Sequence, residues 1–190
     1  MKRNVYFAVG IIVLALSIGG CASYKESAGT AKPDAVAMLN PTRVTPTNDV
    51  KGKVTFTKVA GGVRIDGEIT GLTPGAHGFH VHEKGDCSAP DATSAGGHYN
   101  PTDLPHGAPD AALRHVGDFG NIEANASGVA KFTKVDHVIT LEGPNSIIGH
   151  ALIVHAKPDD LKTQNPPGNA GPRVACGIID RTITNSVKNR

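Results

Sequence analysis

The segment 78–87, GFHVHEKGDC, constrains the fold of this chain more than any other. Its alternating residues are typical of a β-strand with one face in a core. On a strand, residues two apart point to the same side, so His80 and His82 project together while Phe79 and Val81 point the other way. Two imidazoles on one rigid strand provide half of a site for an ion such as copper, which favours nitrogen ligands in a roughly tetragonal arrangement.

Further candidate ligands follow along the chain. His155 comes directly after the apolar run 151–154, which predicts a buried strand that ends at a ligand. His115 and Asp118 lie three residues apart in a glycine-containing loop, where the backbone can turn both toward one ion. The complete set is too large for one four-coordinate ion but suits two ions that share a histidine. Its members are His80, His82, His98, His106, His115, His155 and Asp118.

Each of these residues, taken alone, also has an ordinary structural explanation. A lone histidine is more often a surface or core residue than a ligand, and we keep that explanation for His77, His137 and His150. Asp118 alone is equally consistent with an aspartate that caps a loop beside a glycine. Taken together, a clustered set of histidine and aspartate residues with ligand spacing favours a metal site.

Five segments of the chain resemble the copper/zinc superoxide dismutase family, specifically its exported bacterial branch. The resemblance runs from about residue 50 to residue 180 and rests on GFHVHEKGDC, SAGGHYNP, RHVGDFGN, IIGHALIVHAKPDD and GNAGPRVACGII. It implies an enzyme that converts superoxide to dioxygen and hydrogen peroxide by alternate reduction and oxidation of copper. It also implies one copper and one zinc ion per subunit.

The resemblance assigns each candidate ligand to a metal. It implies that copper binds His80, His82, His98 and His155. It implies that zinc binds His98, His106, His115 and Asp118. His98 then bridges the two metals and serves catalysis as a proton carrier. Arg173 matches the family's active-site arginine, which attracts and orients superoxide, although alone it could be a solvated loop charge. Asp159 matches the carboxylate that links a copper histidine to a zinc histidine.

The N-terminus predicts export. Residues 1–20 begin with the basic residues Lys2 and Arg3 and continue as a short apolar run, which is typical of a signal peptide. The run is shorter than the ~20 residues of a bilayer-spanning helix. Its end, IGGC, resembles a lipobox, so we expect Cys21 to be acylated. An ordinary signal peptide cut near Ala22 and an uncleaved anchor are the alternatives.

The remaining two cysteines, Cys87 and Cys176, match the family's intrasubunit disulfide. Residues 21–48 are rich in Ala, Ser, Thr, Pro, Asn and Lys without a clear period, which predicts a flexible tether that carries the lipid anchor. Residues 49–190 are then the superoxide dismutase domain. We expect a membrane-anchored lipoprotein that faces the periplasmic or extracytoplasmic space and protects the cell envelope from superoxide.

Short strands dominate the pattern after the tether. Residues 53–59 and 63–69 alternate and flank a hairpin turn. We expect further strands at 76–83, 120–124, 129–135, 137–141, 151–155 and 174–180. Many short strands with glycine and proline turns favour an all-β sandwich or flattened barrel. The resemblance makes this an eight-stranded Greek-key barrel with two long functional loops, 84–117 and 156–172.

The charge balance does not suggest a nucleic-acid partner. The net charge is +2, and it falls to zero once Lys2 and Arg3 leave with the signal peptide. A nucleic-acid partner would require a concentrated basic face. The expected partners are superoxide and a membrane, and a homodimer is left open.

The second loop is shorter than in eukaryotic relatives, and Lys162 is one candidate for a steering charge. The alternative function is a non-catalytic envelope copper/zinc-binding protein on the same fold.

Overall fold

Eight antiparallel strands and one 3-10 helix, Thr93–Ala95, form the regular structure of residues 32–183, which this computed structural model describes. The strands are β1 Ala35–Pro41, β2 Lys51–Val59, β3 Gly62–Thr70, β4 Gly75–His82, β5 Asp118–Ala124, β6 Ala130–Asp136, β7 Ala151–His155 and β8 Arg173–Arg181. Among these residues, no helix is long and apolar enough to span a membrane.

The strand order is β5-β4-β7-β8-β1-β2-β3-β6. All seven neighbouring pairs are antiparallel. The two end strands, β5 and β6, lie against each other and nearly close the sheet into a barrel. Lys134 of β6 donates from Nζ to the carbonyl oxygen of Phe119 on β5, at 2.9 Å, across this seam. The predicted all-β, eight-stranded Greek-key barrel is confirmed.

The barrel interior is filled by alternate strand residues. Its largest fully buried side chains include Phe56, Ile65, Phe79, Phe119, Leu152 and Ile179. Strand β7 is buried along its whole length because the first long loop covers its outer side. There Ala151 and Ile153 pack with Ala92, Ala95 and Cys176 in a second apolar cluster. The outer face of β4 and β7 is therefore an interior surface, and the candidate ligands lie on it.

The first strand corrects the expected tether and domain boundary. Residues 35–41 were placed in the flexible segment 21–48, but they form β1, which pairs with both β2 and β8. Ala35, Ala37 and Leu39 alternate into the core. The pattern is weak because two of its three inward residues are alanines. The barrel thus begins by Ala35 rather than at residue 49. Residues 1–31, with the signal peptide and Cys21, lie outside the described residues.

The expected strand at 137–141 is wrong. The Asp136 carboxylate accepts hydrogen bonds from the backbone N–H groups of Val138 and Ile139 at 2.8 and 2.9 Å, which turns the chain directly after β6. Ile139 and Leu141 are still buried, so their alternating apolar pattern reflects packing of a loop against the barrel. The other expected strands coincide with β2–β8 to within two residues at each end.

Candidate metal centre

The first ligand cluster is built on two paired strands. His80 and His82 lie on β4 opposite Ile153 and Ala151 of β7, and β7 ends at His155. An isolated bridge to His82 brings His98 of the first long loop alongside. All four histidines are buried. One ring nitrogen from each of His80, His82, His98 and His155 lies within 4.8 Å of those of the others.

The second cluster shares His98 with the first. Its potential ligand atoms, from His98, His106, His115 and Asp118, also lie within 4.8 Å of one another. The Asp118 Oδ1 atom lies 2.8, 3.0 and 3.2 Å from the Nδ1 atoms of His98, His106 and His115. The other carboxylate oxygen is fixed by the backbone N–H groups of Gly107 and His115. One carboxylate therefore faces three imidazoles at the start of β5.

The ring nitrogens of both clusters are arranged as metal donors. In each of four histidines one nitrogen is held: His82 Nδ1 donates to Gly96 O at 2.9 Å and His155 Nδ1 to Gly171 O at 3.0 Å. The Asp159 carboxylate bridges His80 Nε2 at 2.7 Å and His106 Nε2 at 3.0 Å. The opposite nitrogens of three of them are buried without a hydrogen-bond partner among the described residues: His80 Nδ1, His82 Nε2 and His155 Nε2. The opposite nitrogen of His106, Nδ1, is also buried and faces only the Asp118 carboxylate, at 3.0 Å.

Unpartnered buried nitrogens are unfavourable unless a ligand occupies them. A metal-bound histidine usually donates its other ring N–H to a carboxylate or a carbonyl, which is the pattern found here. Four imidazoles suit copper, whereas three imidazoles and one carboxylate make a closed tetrahedral set for zinc. The residues present therefore fit both ions.

Burial keeps the first cluster in its metal-binding form. In the metal-free protein, burial lowers the pKa of His98 to about 4 and that of His155 to about 3. The pKa of His82 is also well below its usual value, chiefly through burial. These imidazoles are neutral near pH 7, which leaves a lone pair for a metal.

The second cluster contains a charge pair. Burial alone would lower the pKa of His106, but hydrogen bonds to Asp118 and Asp159 outweigh it and raise that pKa to about 9. Burial alone would raise the pKa of both carboxyls, yet the histidine hydrogen bonds hold them well below their usual range. A doubly charged cation in this cluster would replace the proton on His106 and be balanced by the Asp118 carboxylate.

Arg173 lies where the first cluster opens to solvent. Its Nη1 donates to Ala92 O and its Nη2 to Gly96 O, both at 2.6 Å. Its half-buried side chain lines a cleft of about 340 Å³ together with three histidines of the first cluster. Burial lowers the pKa of Arg173, against the opposing effect of Asp91, and a guanidinium stays charged at any physiological pH. The cleft thus offers a fixed cation to a small anion.

The cleft is lined by both long loops. Its lining residues are His82, Gly97, His98, His155, Pro166, Pro167, Asn169, Ala170, Gly171, Pro172 and Arg173. Lys162, considered above as a steering charge, is exposed and is not among them. The Cys87–Cys176 disulfide, with Cα atoms 5.9 Å apart, ties the first loop to β8. The implied pairing of these cysteines is confirmed.

Three histidines lie outside both clusters. The two ring nitrogens of His77 lie 2.8 Å from the carbonyl oxygens of His155 and Thr73. His150 stacks on Tyr99 with ring centroids 3.9 Å apart, and His137 donates to Gly61 O. Each has a structural role, as the sequence analysis expected.

Two supporting residues escaped the sequence analysis. Arg114 is buried and donates to the carbonyl oxygens of His115 and Asp118 and to the Asp136 carboxylate. It fixes the turn that carries two candidate zinc ligands. Asn121 donates to Asp159 O and accepts from Asp159 N, at 2.9 and 2.7 Å. The position of Arg114 beside a candidate ligand was a signal, whereas nothing in the sequence connects Asn121 with Asp159.

Comparison with known proteins identifies the family. The family model described as copper/zinc superoxide dismutase (SODC) matches residues 50–179. The chain belongs to the copper/zinc superoxide dismutase family, which confirms the expected class of enzyme and the expected cofactors, copper and zinc.

Two relatives illustrate the similarity. The chain is 43% identical over 175 residues to an extracellular superoxide dismutase [Cu-Zn] of Drosophila melanogaster, covering 87% of this chain and 96% of the relative. It also resembles a solved structure described as the clock protein EA4, with 45% sequence identity and a TM-score of 0.71. That match covers 81% of this chain and 98% of the other.

Proposed function

We propose that this protein converts two superoxide anions and two protons to dioxygen and hydrogen peroxide in the cleft beside Arg173. The single observation that carries this proposal is that His98 belongs to both ligand clusters and also lines the cleft. Copper, when bound, supplies a centre that accepts and returns one electron, whereas zinc has no redox chemistry.

The proposed ligands are those of the two clusters. Copper is held by His80, His82, His98 and His155. Zinc is held by His98, His106, His115 and Asp118. Asp159 orients His80 and His106 through its two oxygens. Because the Nδ1 atom of His98 lies beside Asp118, its Nε2 atom is left for the copper side.

Two residues act on the substrate and the product. The guanidinium of Arg173 attracts the superoxide anion and orients it in the cleft. His98 holds a proton at Nε2 and passes it to the peroxide product. The carbonyl of Gly96 keeps both Arg173 and His82 in place, since it accepts a hydrogen bond from each.

Superoxide decay measured on the purified protein tests the proposal. We expect activity with copper and zinc bound, and its loss in copper-free protein and in His82→Ala, which removes one copper ligand but leaves the barrel. Full activity without copper would exclude the proposal. Metal binding with no activity in the fully loaded protein would instead identify the non-catalytic metal-binding protein considered above.

We further propose an exported, lipid-anchored enzyme of the bacterial branch that intercepts superoxide in the cell envelope. The lipobox-like IGGC at Cys21 supports acylation. The Cys87–Cys176 disulfide supports an oxidising compartment, and one relative is named an extracellular enzyme. In this proposal residues 1–20 are the signal peptide and the tether runs from Cys21 to the start of β1.

Mass spectrometry of protein extracted from membranes tests the location. We expect a diacyl or triacyl modification on Cys21, because a single acyl chain gives only marginal membrane binding. Cys21→Ser should yield a soluble protein or an unprocessed precursor. An unmodified N-terminus downstream of Cys21 would exclude the lipoprotein while leaving export and activity in place.

A further inference from the structure

The side chain of Gln164 holds the backbone of His106. Its Oε1 atom accepts the His106 N–H at 2.8 Å, and its Nε2 atom donates to the His106 carbonyl at 3.0 Å. The same Nε2 also donates to Lys162 O at 2.8 Å. The backbone N–H and C=O groups of His106 are thus both paired with the side-chain amide of Gln164, which lies 58 positions away in sequence.

Gln164 belongs to the second long loop, which reaches the same histidine at a second point. Asp159 of that loop accepts from His106 Nε2 at 3.0 Å. His106 is therefore held at its backbone by Gln164 and at its ring by Asp159, and its Nδ1 atom faces Asp118 of the second cluster at 3.0 Å. Two contacts from one segment fix both the position and the rotation of the imidazole.

Two prolines that lie two and three positions after Gln164 belong to the wall of the cleft. Pro166 and Pro167 line it with His82 and His155. Gln164 thus stands between a candidate zinc ligand on one side and the cleft wall on the other. An asparagine would be one methylene shorter and could not reach both groups of His106 from the same backbone position.

We propose that Gln164 is a positioning residue. It lies in the loop that lines the copper cleft, and it holds His106 in the position that zinc binding requires. This inference rests on the proposed role of His106 as a zinc ligand. Partners that orient a metal ligand without touching the metal typically contribute ~10–100-fold to metal affinity. Gln164 is an exposed residue outside the barrel core, so its contribution is to zinc binding rather than to the stability of the barrel.

The test compares zinc affinity in full-length protein that has been demetallated and titrated with zinc alone against a chelator. We expect Gln164→Ala to bind zinc about tenfold more weakly than the parent. Its melting temperature without metal should stay at the parent value, a result that separates positioning from general stabilisation. His106→Ala, measured in parallel, reports whether His106 is a zinc ligand at all.

Thr163→Val is the matched control. The Thr163 hydroxyl donates to the Asp160 carboxylate in the same loop, at 2.6 Å, rather than to His106. Its loss should leave zinc affinity within about twofold of the parent. Parent affinity in Gln164→Ala, or an equal fall in both variants, would overturn the inference. Parent affinity in His106→Ala would instead overturn the zinc assignment on which it rests.

Discussion

The side chains of Arg173 and His82 share one acceptor, the carbonyl oxygen of Gly96. Arg173 also reaches the carbonyl of Ala92, so its guanidinium is held at two points and points into the cleft. A planar fork can make both hydrogen bonds, whereas the compact ammonium of a lysine cannot reproduce that geometry. The positive charge of Arg173 is therefore held at a fixed position in the cleft.

Replacement of Arg173 should separate charge from geometry. We expect Arg173→Lys to lower the second-order rate with superoxide moderately, because the sign is kept but the fork is lost. Arg173→Glu should lower it at least about tenfold further, since charge reversal repels the anion and steering changes rates by about 10–1,000-fold. The measurement is the rate at low and at high ionic strength, with equal copper content. Parent rates for both variants at low salt would contradict this role.

Most of the proposed ligands were predictable because they sit in short motifs with their own local pattern. His80 and His82 are two apart on a strand, and His115 and Asp118 share one turn. The residues that hold the ligands were mostly not predictable. Gln164 and Asn121 act across 58 and 38 positions of sequence, and only the packing of two loops brings them to their partners.

At the level of strands, β1 shows where sequence patterning fails. Its inward residues are mostly alanine, so its apolar signal resembles that of a linker. Its place between β8 and β2 is nevertheless central in the strand order. In the two long loops, by contrast, the sequence pattern was informative. Their glycines, prolines and candidate ligands predicted where the loops lie and that they carry functional residues.

Truncation tests the role of β1. A fragment that begins at residue 49 should fail to fold stably, because it loses the buried residues of β1 and leaves the edges of β2 and β8 unpaired. A fragment that begins at residue 32 keeps the strand and should melt cooperatively. Circular dichroism during thermal unfolding compares the two. A cooperative transition at the same temperature in both would show that β1 is dispensable.

The disulfide fastens the first long loop, which carries the carbonyls of Ala92 and Gly96. We expect the double variant Cys87→Ser, Cys176→Ser to lose about 2–5 kcal/mol of unfolding free energy. Its activity at equal metal content should also fall, because the acceptors of Arg173 are no longer anchored to β8. Urea unfolding and superoxide decay measure the two effects. Unchanged stability and activity would mean that apolar packing alone holds the loop.

On the scale of the whole barrel, the site lies between a rigid wall and two loops. β4 and β7 provide the wall, the disulfide holds one loop, and Asp159 and Gln164 join the other to the candidate zinc ligand His106. These contacts hold the ligands in position, and this arrangement buries several imidazoles that must stay neutral. The free energy of that burial should appear as a dependence of stability on pH.

The metal-free protein should be most stable near pH 6.5. His155 and His98 have pKa values lowered to about 3 and about 4 by burial, so the unfolded chain binds their protons more readily. Their contribution is complete above the ordinary value of ~6.5 and is lost as pH falls toward 3, at up to ~1.4 kcal/mol per residue and pH unit. The lowered pKa values of Asp118 and Asp159 add to this loss below about pH 4.

His106 acts in the opposite direction. Its pKa is raised to about 9, so its contribution is complete below ~6.5 and is lost as pH rises toward 9. Urea unfolding between pH 4 and pH 9 should therefore show a maximum in the metal-free protein. In the metal-loaded protein the alkaline loss should vanish, because a metal replaces the proton on His106, while acid should release the metals. An alkaline loss that persists with metals bound would show that His106 is not a ligand.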